Sequence, residues 1–338
     1  MGHRPAVPHP IAQRLILEKT TMSLSATLPA APPVTNGIYV DDEKLDRIQS
    51  KVLDFTQYPH DVATLGDINI APYSATVGAT VHGLRLRPDT DVAPDVRDFL
   101  YKGLLRHGFL SFEPGTVDAQ SFERLVSLFG QVKLLNTPYT PGSGKTGQLN
   151  AIDSSIKRTR MNYIWHIDQS FQNVQPPFTS LFAQEVPGTG GDTLFSNATA
   201  AYDLLDPALA AYFESLTAVH DVETQGFLTL AYHDFAQRAG QREKYPSIEV
   251  PLIRTHPETG RKQIFANELY TQRILGVTRR TSQALLDVLF DAISAPEVQT
   301  RHRWTDGVAL IWDNRTVQHR GVPDFGGKRR VLHRALVL

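Results

Sequence analysis

The C-terminal stretch IWDNRTVQHRGVPDFGGKRRVLHRAL, residues 311–336, decides the fold of this 338-residue chain. It continues one apolar segment, GVALIWDN, and contains most of a second, RRVLHRALVL. Both segments are rich in β-branched or bulky apolar residues, and Gly and Pro lie between them. This pattern predicts two strands joined by turns. His319 follows the first strand, and Arg330 lies at the start of the second.

Similar short apolar segments lie upstream of this stretch. FTSLFAQEVP, SIEVPLIRTH and KQIFAN have the composition of strands, and Gly and Pro separate them. Helical spacing of apolar residues appears at residues 96–104, 122–129, 197–213 and 281–294. Many spaced antiparallel strands with helices outside them predict a mainly β fold with flanking helices, of the double-stranded β-helix or jelly-roll type.

The sequence also suggests how the chain is divided. Residues 1–37 are rich in Pro, Ala, Ser and Thr, which predicts a disordered extension. Residues 38–67 are expected to form an N-terminal helical segment outside the main core. Residues 68–338 are then a single domain, in which the polar stretch at about 226–245 is expected to be an irregular insertion or lid.

Composition excludes several classes of function. The chain has no cysteine, so a disulfide framework, a thiolate zinc site, an iron–sulfur cluster and a cysteine nucleophile are excluded. Any metal ligands must be His, Asp, Glu or water, a set that suits zinc, manganese or ferrous iron. The net charge of −1 gives no general attraction for nucleic acid or an anionic membrane. No apolar run reaches 18 residues, so we expect no membrane span and a cytoplasmic location.

His166 and Asp168 form an H-x-D pair in the segment YIWHIDQSF. In a strand, residues i and i+2 point to the same side, so both side chains can reach one ion. Alone, the pair is weak evidence, because a lone His of this kind is more often an ordinary core or surface residue. A ferrous site of the two-histidine, one-carboxylate type needs a third ligand from a distant strand, and His319 can supply it.

A second pair, the H-x-E of His256 and Glu258, is a rival for the ligand role. It lies in THPETGRK, where Pro257 and Gly260 indicate a tight turn between strands. A hairpin tip is a poor place for a buried metal site, so we expect both residues to be structural.

Arginines close to a metal are what a dicarboxylate co-substrate requires, because guanidinium pairs bidentately with a carboxylate. Arg330 lies eleven residues after His319, with Arg329 and Arg334 nearby. The simpler interpretation is a solvated basic strand. Against it, the neighbouring Val331, Leu332, Ala335 and Leu336 are apolar, so at least one arginine is expected to point into a cavity.

Four blocks occur in a shared order that resembles one known family. They are WHID, GTGGDTLFSNATAAYDLL, RTHPETGRKQIF and the C-terminal stretch quoted above. Together they resemble the taurine dioxygenase and 2,4-dichlorophenoxyacetate dioxygenase family over about residues 68–338. The resemblance implies a non-haem oxygenase that uses Fe(II), 2-oxoglutarate and O2, and that most commonly hydroxylates a small, anionic metabolite with release of succinate and CO2.

The resemblance also implies roles for individual residues. His166, Asp168 and His319 match the metal ligands, with no catalytic group beyond the metal centre. Thr193 matches a threonine that hydrogen-bonds 2-oxoglutarate, and Arg330 matches the arginine that pairs with its distal carboxylate.

On the substrate side, Arg334 matches an arginine that contacts an anionic head group. Asn162 matches a substrate-contacting asparagine, and Tyr139 a substrate-side tyrosine, although LLNTPYTPG does not align cleanly there.

Two other classes of protein stay open at this point. One is a zinc hydrolase that uses the same three ligands, against which Arg330 and Thr193 argue. The other is a binding protein that has lost turnover, although all three ligands are present. Asp168 argues against a halogenase, which needs that coordination position for halide. The expected partners are a small-molecule substrate and a second copy of the chain in a homo-oligomer, with no nucleic acid and no membrane.

Overall fold

A large, mostly antiparallel sheet, in which only the strands Ala79–His82 and Phe109–Phe112 pair in parallel among the described strands, has helices packed on one face. The computed structural model describes residues 53–58, 60–133, 150–154, 160–232 and 234–338, which all belong to one compact unit, Gln49–Leu338. The strands are β1 (Ala63–Leu65), β2 (Ile68–Pro72), β3 (Ala79–His82), β4 (Phe109–Phe112), β5 (Val132–Lys133), β6 (Asn150–Asp153), β7 (Phe178–Glu185), β8 (Thr193–Asn197), β9 (Thr217–His220), β10 (Ile248–Pro251), β11 (Ile253–Thr255), β12 (Lys262–Ile264), β13 (Thr271–Ile274), β14 (Gln299–His302), β15 (Ala309–Asp313), β16 (Val317–Gly321) and β17 (Val331–Val337).

Seven α-helices and three short 3-10 turns accompany these strands in the described part of the chain. The helices are α1 (Pro94–His107), α2 (Phe122–Ser127), α3 (Ala198–Asp203), α4 (Pro207–Glu214), α5 (Phe227–Ala231), α6 (Phe235–Lys244) and α7 (Arg279–Ser294). The 3-10 turns are Phe55–Gln57, Arg160–Tyr163 and Pro296–Val298. The mostly β composition with several helices agrees with the prediction. Among the described residues, no helix is both long enough and apolar enough to cross a membrane.

The strands form four sheets within the described residues. The largest has nine strands in the order β1-β2-β3-β4-β15-β7-β17-β5, with β6 also paired to β17. A three-stranded sheet has the order β14-β8-β16, a second has the order β10-β9-β13, and β11 pairs with β12. The chain passes from the nine-stranded sheet to the β14-β8-β16 sheet after β7 and after β15, and it returns between β14 and β15 and between β16 and β17.

Apolar residues pack on both faces of the nine-stranded sheet. One cluster joins side chains of β3, β4 and β15 to helices α1 and α2, for example Val81, Ile311 and Leu100. Another joins Phe109 and Leu310 of the nine-stranded sheet to Phe195 of the β14-β8-β16 sheet. These two sheets therefore pack against each other, and their shared side is where the polar residues discussed below are found.

Helix ends follow the local sequence. Pro94 is at the first position of α1, Asp95 is in its first turn, and Gly108 ends it with φ 78°. The Asn197 side chain at the end of β8 accepts hydrogen bonds from the N–H groups of Thr199 and Ala200 and so caps α3.

Three predictions of local structure need correction. The helix predicted over 197–213 is two helices, because Asp206 before Pro207 is extended, with ψ 134°. The stretch 226–245 is not irregular but contains α5 and α6. Residues 63–65 form β1, so the helical segment predicted over 38–67 does not reach its expected end. Residues 1–52, including the predicted extension, lie outside the described residues.

Candidate metal and co-substrate site

Backbone pairing brings His166 next to His319. The two residues form an isolated antiparallel bridge, in which the N–H of His166 donates to the carbonyl of His319 at 3.1 Å and the reverse bond is 3.0 Å. Their ring centroids are 4.2 Å apart. Together with Asp168, they offer three buried ligand atoms that all lie within 4.8 Å of one another. The H-x-D pair and the distant histidine of the sequence therefore come together.

The His166 ring is oriented by its own backbone. Its Nδ1 lies 2.7 Å from the carbonyl oxygen of Ile164, an acceptor, so Nδ1 carries the hydrogen and donates it. Its Nε2 is therefore the unprotonated nitrogen and lies 3.9 Å from Oδ1 of Asp168. A hydrogen bond of this kind on the second ring nitrogen is typical of metal-ligating histidines.

Both imidazoles favour the neutral form that binds metals. Burial is the main cause that lowers the pKa of His166, and burial followed by the charge of His166 lowers the pKa of His319 far below its usual value. The His319 ring stacks on Phe195 at 5.9 Å between centroids and meets the Trp312 ring edge-on at 4.7 Å. These rings fix the position of His319 in the core.

The carboxylate of Asp168 is held from two sides. Its Oδ2 accepts a hydrogen bond from the hydroxyl of Thr179 at 2.9 Å, and its Oδ1 lies 3.0 Å from a guanidinium nitrogen of Arg334. Burial raises the pKa of Asp168, but the positive charge of Arg334, together with the neighbouring imidazoles and the Thr179 hydrogen bond, outweighs burial, and the pKa lies below its usual value. The group is therefore ionised at neutral pH.

A second group of residues lies beside these three. Arg330 is partly buried, with its Nε atom fully covered, and its guanidinium stands over the indole ring of Trp304, with 5.8 Å from the guanidinium carbon to the ring centroid. Burial lowers its pKa to about 10. No carboxylate is paired with Arg330 among the described residues, and its Nε has no hydrogen-bond partner there. The charge of Asp192 acts on Arg330 but Asp192 pairs with Arg301, and a largely covered cation without a directly paired carboxylate is costly, so this position suits an anionic ligand.

The hydroxyl of Thr193 points into the same pocket and is also oriented. The indole N–H of Trp304 donates to its oxygen at 2.9 Å. Since that bond uses the oxygen as an acceptor, the hydroxyl hydrogen of Thr193 is left to donate elsewhere. Thr193 and Arg330 therefore line one pocket, each with a donor free to bind a ligand there; the resemblance implies that this ligand is 2-oxoglutarate.

One pocket joins these residues. Its polar lining contains the three candidate ligands together with Thr193, Arg330, Arg334 and Asn162, and its apolar lining contains Ile152, Leu181, Trp312 and Leu332. The pocket thus has a cationic side and an apolar side. Tyr139, the remaining predicted substrate residue, lies outside the described residues.

The rival pair His256 and Glu258 does not converge on a ligand site. Nε2 of His256 lies 3.1 Å from Oδ2 of Asp313, and its Nδ1 accepts from the N–H groups of Glu258 and Thr259. Glu258 forms an ion pair with Arg315 at 2.6 Å. Both side chains hold the turn between β11 and β12 against the nine-stranded sheet, as a structural role requires.

The donor set decides which metals the site suits. Two neutral imidazoles and one carboxylate, all buried, leave further positions for co-substrate and oxygen, and this is the donor set of non-haem ferrous oxygenases. The neighbouring unpaired Arg330 fits a dicarboxylate beside the metal. The residues present therefore fit Fe(II) with 2-oxoglutarate.

Comparison with known proteins decides the family. Residues 69–336 match the family model described as "Taurine catabolism dioxygenase TauD, TfdA family". The chain belongs to the TauD/TfdA family. It is therefore a dioxygenase that depends on Fe(II), 2-oxoglutarate and O2, and the resemblance found in the sequence is confirmed.

Individual relatives are moderately similar to this family member. It is 30% identical over 274 residues to the alkylsulfatase of Acinetobacter baylyi, and the matched region covers 79% of this chain and 84% of the relative. It is 31% identical over 273 residues to the alpha-ketoglutarate-dependent sulfate ester dioxygenase of Pseudomonas putida, over 79% of this chain and 88% of the relative. The crystal structure of a taurine dioxygenase from Burkholderia xenovorans matches with a TM-score of 0.65 and 26% identity, over 80% of this chain and 90% of that one.

Some residues of the site were not predicted from the sequence. Trp304 contacts both Thr193 and Arg330. In the sequence it is only an aromatic residue before a turn, and nothing there indicates a role in the site. Thr179 lies in a strand, and the sequence does not show whether its hydroxyl faces the pocket or the solvent. Asn314 belongs to the quoted C-terminal block, but its contact with Thr179 depends on the pairing of β15 with β7.

Proposed function

We propose that this TauD/TfdA-family protein oxidises an unactivated C–H bond of a small, anionic molecule, with hydroxylation as the usual outcome and release of succinate and CO2. The observation that carries this proposal is a single pocket that contains three convergent candidate ligands and a partly buried arginine, Arg330, that has no paired carboxylate within the described part of the chain. A zinc hydrolase would have no use for that arginine or for the Thr193 hydroxyl beside it.

His166, Asp168 and His319 are the proposed iron ligands. When bound, Fe(II) with 2-oxoglutarate and O2 supplies the oxidising power for C–H cleavage, which no side chain of the protein can supply. The protein contributes the positions of the groups. The bridge between His166 and His319 fixes the distance between two ligands, and the low pKa of both rings leaves one nitrogen of each ring unprotonated and able to bind a metal.

Arg330 and Thr193 are the proposed binding residues for the distal carboxylate of 2-oxoglutarate. Arg330 provides charge in a buried position, and Thr193 provides one directed hydroxyl hydrogen. Trp304 supports both, since its ring lies under the guanidinium and its N–H bonds the Thr193 oxygen.

We propose a substrate that carries a sulfate, sulfonate or carboxylate group on an apolar body. Arg334 lines the pocket as a second cation, and Ile152, Leu181 and Leu332 provide the apolar wall. Asn162 lines the same pocket, and Tyr139 is the remaining proposed contact. The two curated relatives described above are named for sulfate esters, which supports the sulfate class first. Arg334 pairs with Asp168 in this structure, so contact with a substrate would be a second interaction of the same guanidinium.

The experiment is a matched substrate series. The protein is incubated with Fe(II), 2-oxoglutarate and O2, and succinate release is measured with an alkyl sulfate, an alkanesulfonate, an alkanoic acid and an alcohol of one chain length. We expect at least one anionic member to stimulate succinate release well above the alcohol. Equal stimulation by the alcohol would contradict an anionic substrate, while leaving the reaction class intact.

The finer points of architecture belong to the same proposal. Likeness to solved dioxygenases supports a jelly-roll arrangement of the nine-stranded sheet and the β14-β8-β16 sheet. We propose that residues 226–245, with helices α5 and α6, are an insertion that covers the pocket entrance. A homo-oligomer and a cytoplasmic location remain predictions from the sequence.

A further inference from the structure

A chain of hydrogen bonds ends on the proposed ligand Asp168. The indole N–H of Trp312 donates to Oδ1 of Asn314 at 2.9 Å, and Nδ2 of Asn314 donates to the hydroxyl oxygen of Thr179 at 2.8 Å. The Thr179 hydroxyl then donates to Oδ2 of Asp168 at 2.9 Å. These four residues come from β15, the turn after it, β7 and the H-x-D segment.

The direction of this chain is forced by the chemistry of its two ends. An indole N–H can only donate, so the oxygen of the Asn314 amide must face Trp312. The amide nitrogen must then face the carbonyl oxygen of Pro176, 3.0 Å away, which can only accept. Since Thr179 accepts from this nitrogen, its single hydroxyl hydrogen is directed at Asp168.

The chain is isolated from solvent. Trp312 is 1% exposed, Asn314 2% and Thr179 0%. A buried hydrogen bond to a charged group is stronger than one in water, and loss of one member leaves the others without partners. Rotation of the Asp168 carboxylate would break the last bond, so the chain opposes rotation.

The two oxygens of Asp168 therefore have different surroundings. Oδ2 is bound by Thr179, whereas Oδ1 faces Nε2 of His166 at 3.9 Å and Arg334 at 3.0 Å. The Trp312 ring that starts the chain also packs edge-on against His319. The same network thus contacts two of the three proposed ligands.

We propose that Thr179, Asn314 and Trp312 are positioning residues for the metal centre, which fix the Asp168 carboxylate so that Oδ1 is the oxygen presented to the metal. This inference rests on the proposed iron ligands. Asp313 lies between Trp312 and Asn314 in the sequence but does not belong to this hydrogen-bond chain. Its carboxylate binds His256 and Arg315 instead.

The test is Co(II) binding to metal-free protein, followed by calorimetry and by the visible spectrum of the bound ion. Thr179→Val keeps the shape of the side chain but removes the hydroxyl, and Thr179→Ser keeps the hydroxyl as the matched control. We expect Thr179→Val to raise the Kd for Co(II) about 10- to 100-fold, the usual effect of losing a partner of a ligating group. Thr179→Ser is expected to bind Co(II) like the wild type, with the wild-type spectrum.

A second variant tests the length of the chain. Trp312→Phe removes the indole N–H but retains a ring against His319, and we expect a smaller increase in Kd than for Thr179→Val. Combined with Thr179→Val, it should add no further increase, because the last link is already lost. If Thr179→Val fails to fold, Trp312→Phe decides alone: weaker Co(II) binding supports the inference.

Two results would overturn the inference. The first is a wild-type Kd for Co(II) in Thr179→Val, or in Trp312→Phe if Thr179→Val does not fold. The second is a double variant in which the effects of the two substitutions on the free energy of Co(II) binding add in full. A wild-type protein that binds no Co(II) would instead overturn the proposed function, so the two failures are distinguishable.

Discussion

Arg329 and Arg330 are adjacent in the sequence but differ in every physical respect that bears on function. Arg329 is exposed and forms ion pairs with Glu185 at 2.6 Å and with Asp153 at 3.0 Å. Arg330 is partly buried, its Nε is covered, and no carboxylate pairs with it among the described residues. Since an exposed ion pair contributes little and a buried unpaired cation is costly, only Arg330 has an electrostatic reason to bind an anionic ligand.

Substitution of these two arginines should therefore have different consequences. We expect Arg330→Ala to raise the KM for 2-oxoglutarate about 100-fold, because truncating one member of a buried charge pair costs about 2–5 kcal/mol. Arg329→Ala is the matched control and should leave that KM close to the wild-type value. Succinate release against 2-oxoglutarate concentration measures both. Equal KM values in the two variants would argue against the assignment of Arg330.

His302 should make the stability of the fold depend on pH. It is 2% exposed, neither ring nitrogen has a hydrogen-bond partner among the described residues, and burial lowers its pKa to about 3. The unfolded chain therefore binds a proton below pH 6.5 that the folded chain does not bind until about pH 3. The free energy of unfolding must then fall as the pH is lowered through this window.

The size of this effect can be checked by substitution. Between pH 7 and pH 5, His302 should account for about 2 kcal/mol of the decrease in the free energy of unfolding, at 1.36 kcal/mol per unit. His302→Phe keeps an aromatic ring against Tyr73, Phe109 and Trp304 but removes the titrating group. In this variant, the contribution of about 2 kcal/mol to the pH dependence should be lost. Urea unfolding at the two pH values measures it. An unchanged pH dependence in the variant would show that His302 does not contribute.

At the scale of elements, the segment before β8 is tied to the loop before β17, which contains Arg330. The carboxylate of Asp324 accepts from the N–H of Gly191 at 2.8 Å and from Arg301 at 2.6 Å, and Arg301 also binds Asp192 at 2.6 Å. Gly191 has φ 75°, and a Cβ there would lie 3.1 Å from Cδ of Arg330. The glycine is needed both for its backbone angle and for the space that Arg330 occupies.

Two glycine substitutions separate these causes. Gly191→Ala and Gly260→Ala both introduce a side chain at a positive φ, 75° and 69°, but nothing lies within 4 Å of a Cβ at Gly260. We expect each to reduce stability by about 1–2 kcal/mol from backbone strain. Only Gly191→Ala should also raise the KM for 2-oxoglutarate. A similar KM change in both variants would mean that strain alone, not contact with Arg330, is responsible.

Helix α6 should be among the least protected elements. None of its residues is buried, and Phe235 at its start is 76% exposed, whereas every residue of β15 is buried between β4 and β7. Local opening of α6 exposes little apolar surface, so it costs little free energy. Hydrogen exchange followed by mass spectrometry should show α6 exchanging far faster than β15. Equal protection of both would contradict a weakly packed insertion at 226–245.

Over the whole molecule, the sequence predicts the β pattern well because the strands are short, apolar and separated by Gly and Pro. The prediction of helices fails where the spacing of apolar residues does not mark the true start or end of a helix. Helix α6 is mostly polar and has no buried residue, and its helical state comes from good helix formers, such as Ala, Gln, Glu and Lys, with the Asp234 side chain accepting from the N–H of Gln237 as a cap. The break between α3 and α4 is a single local event, the extended Asp206 before Pro207.

The candidate site likewise contains some residues that the sequence indicates and others that only the structure reveals. The resemblance of the sequence to the TauD/TfdA family points to His166, Asp168 and His319 as candidate ligands, because an H-x-D pair and a later histidine can be recognised in the linear order. It cannot supply Trp304 or Thr179, since their roles depend on which strands pair and which face each side chain takes. The direction of the hydrogen bonds to Thr193 and Asp168 likewise becomes evident only when donors and acceptors are placed together.

The central claim is that Fe(II) and 2-oxoglutarate bind together at His166, Asp168 and His319. The most direct test adds Fe(II) and then 2-oxoglutarate to metal-free protein without oxygen and records the visible absorption spectrum. We predict a charge-transfer band that saturates at one equivalent of each per chain and is absent in His319→Ala. A metal-loaded wild-type protein that shows no such band on addition of 2-oxoglutarate would contradict the account.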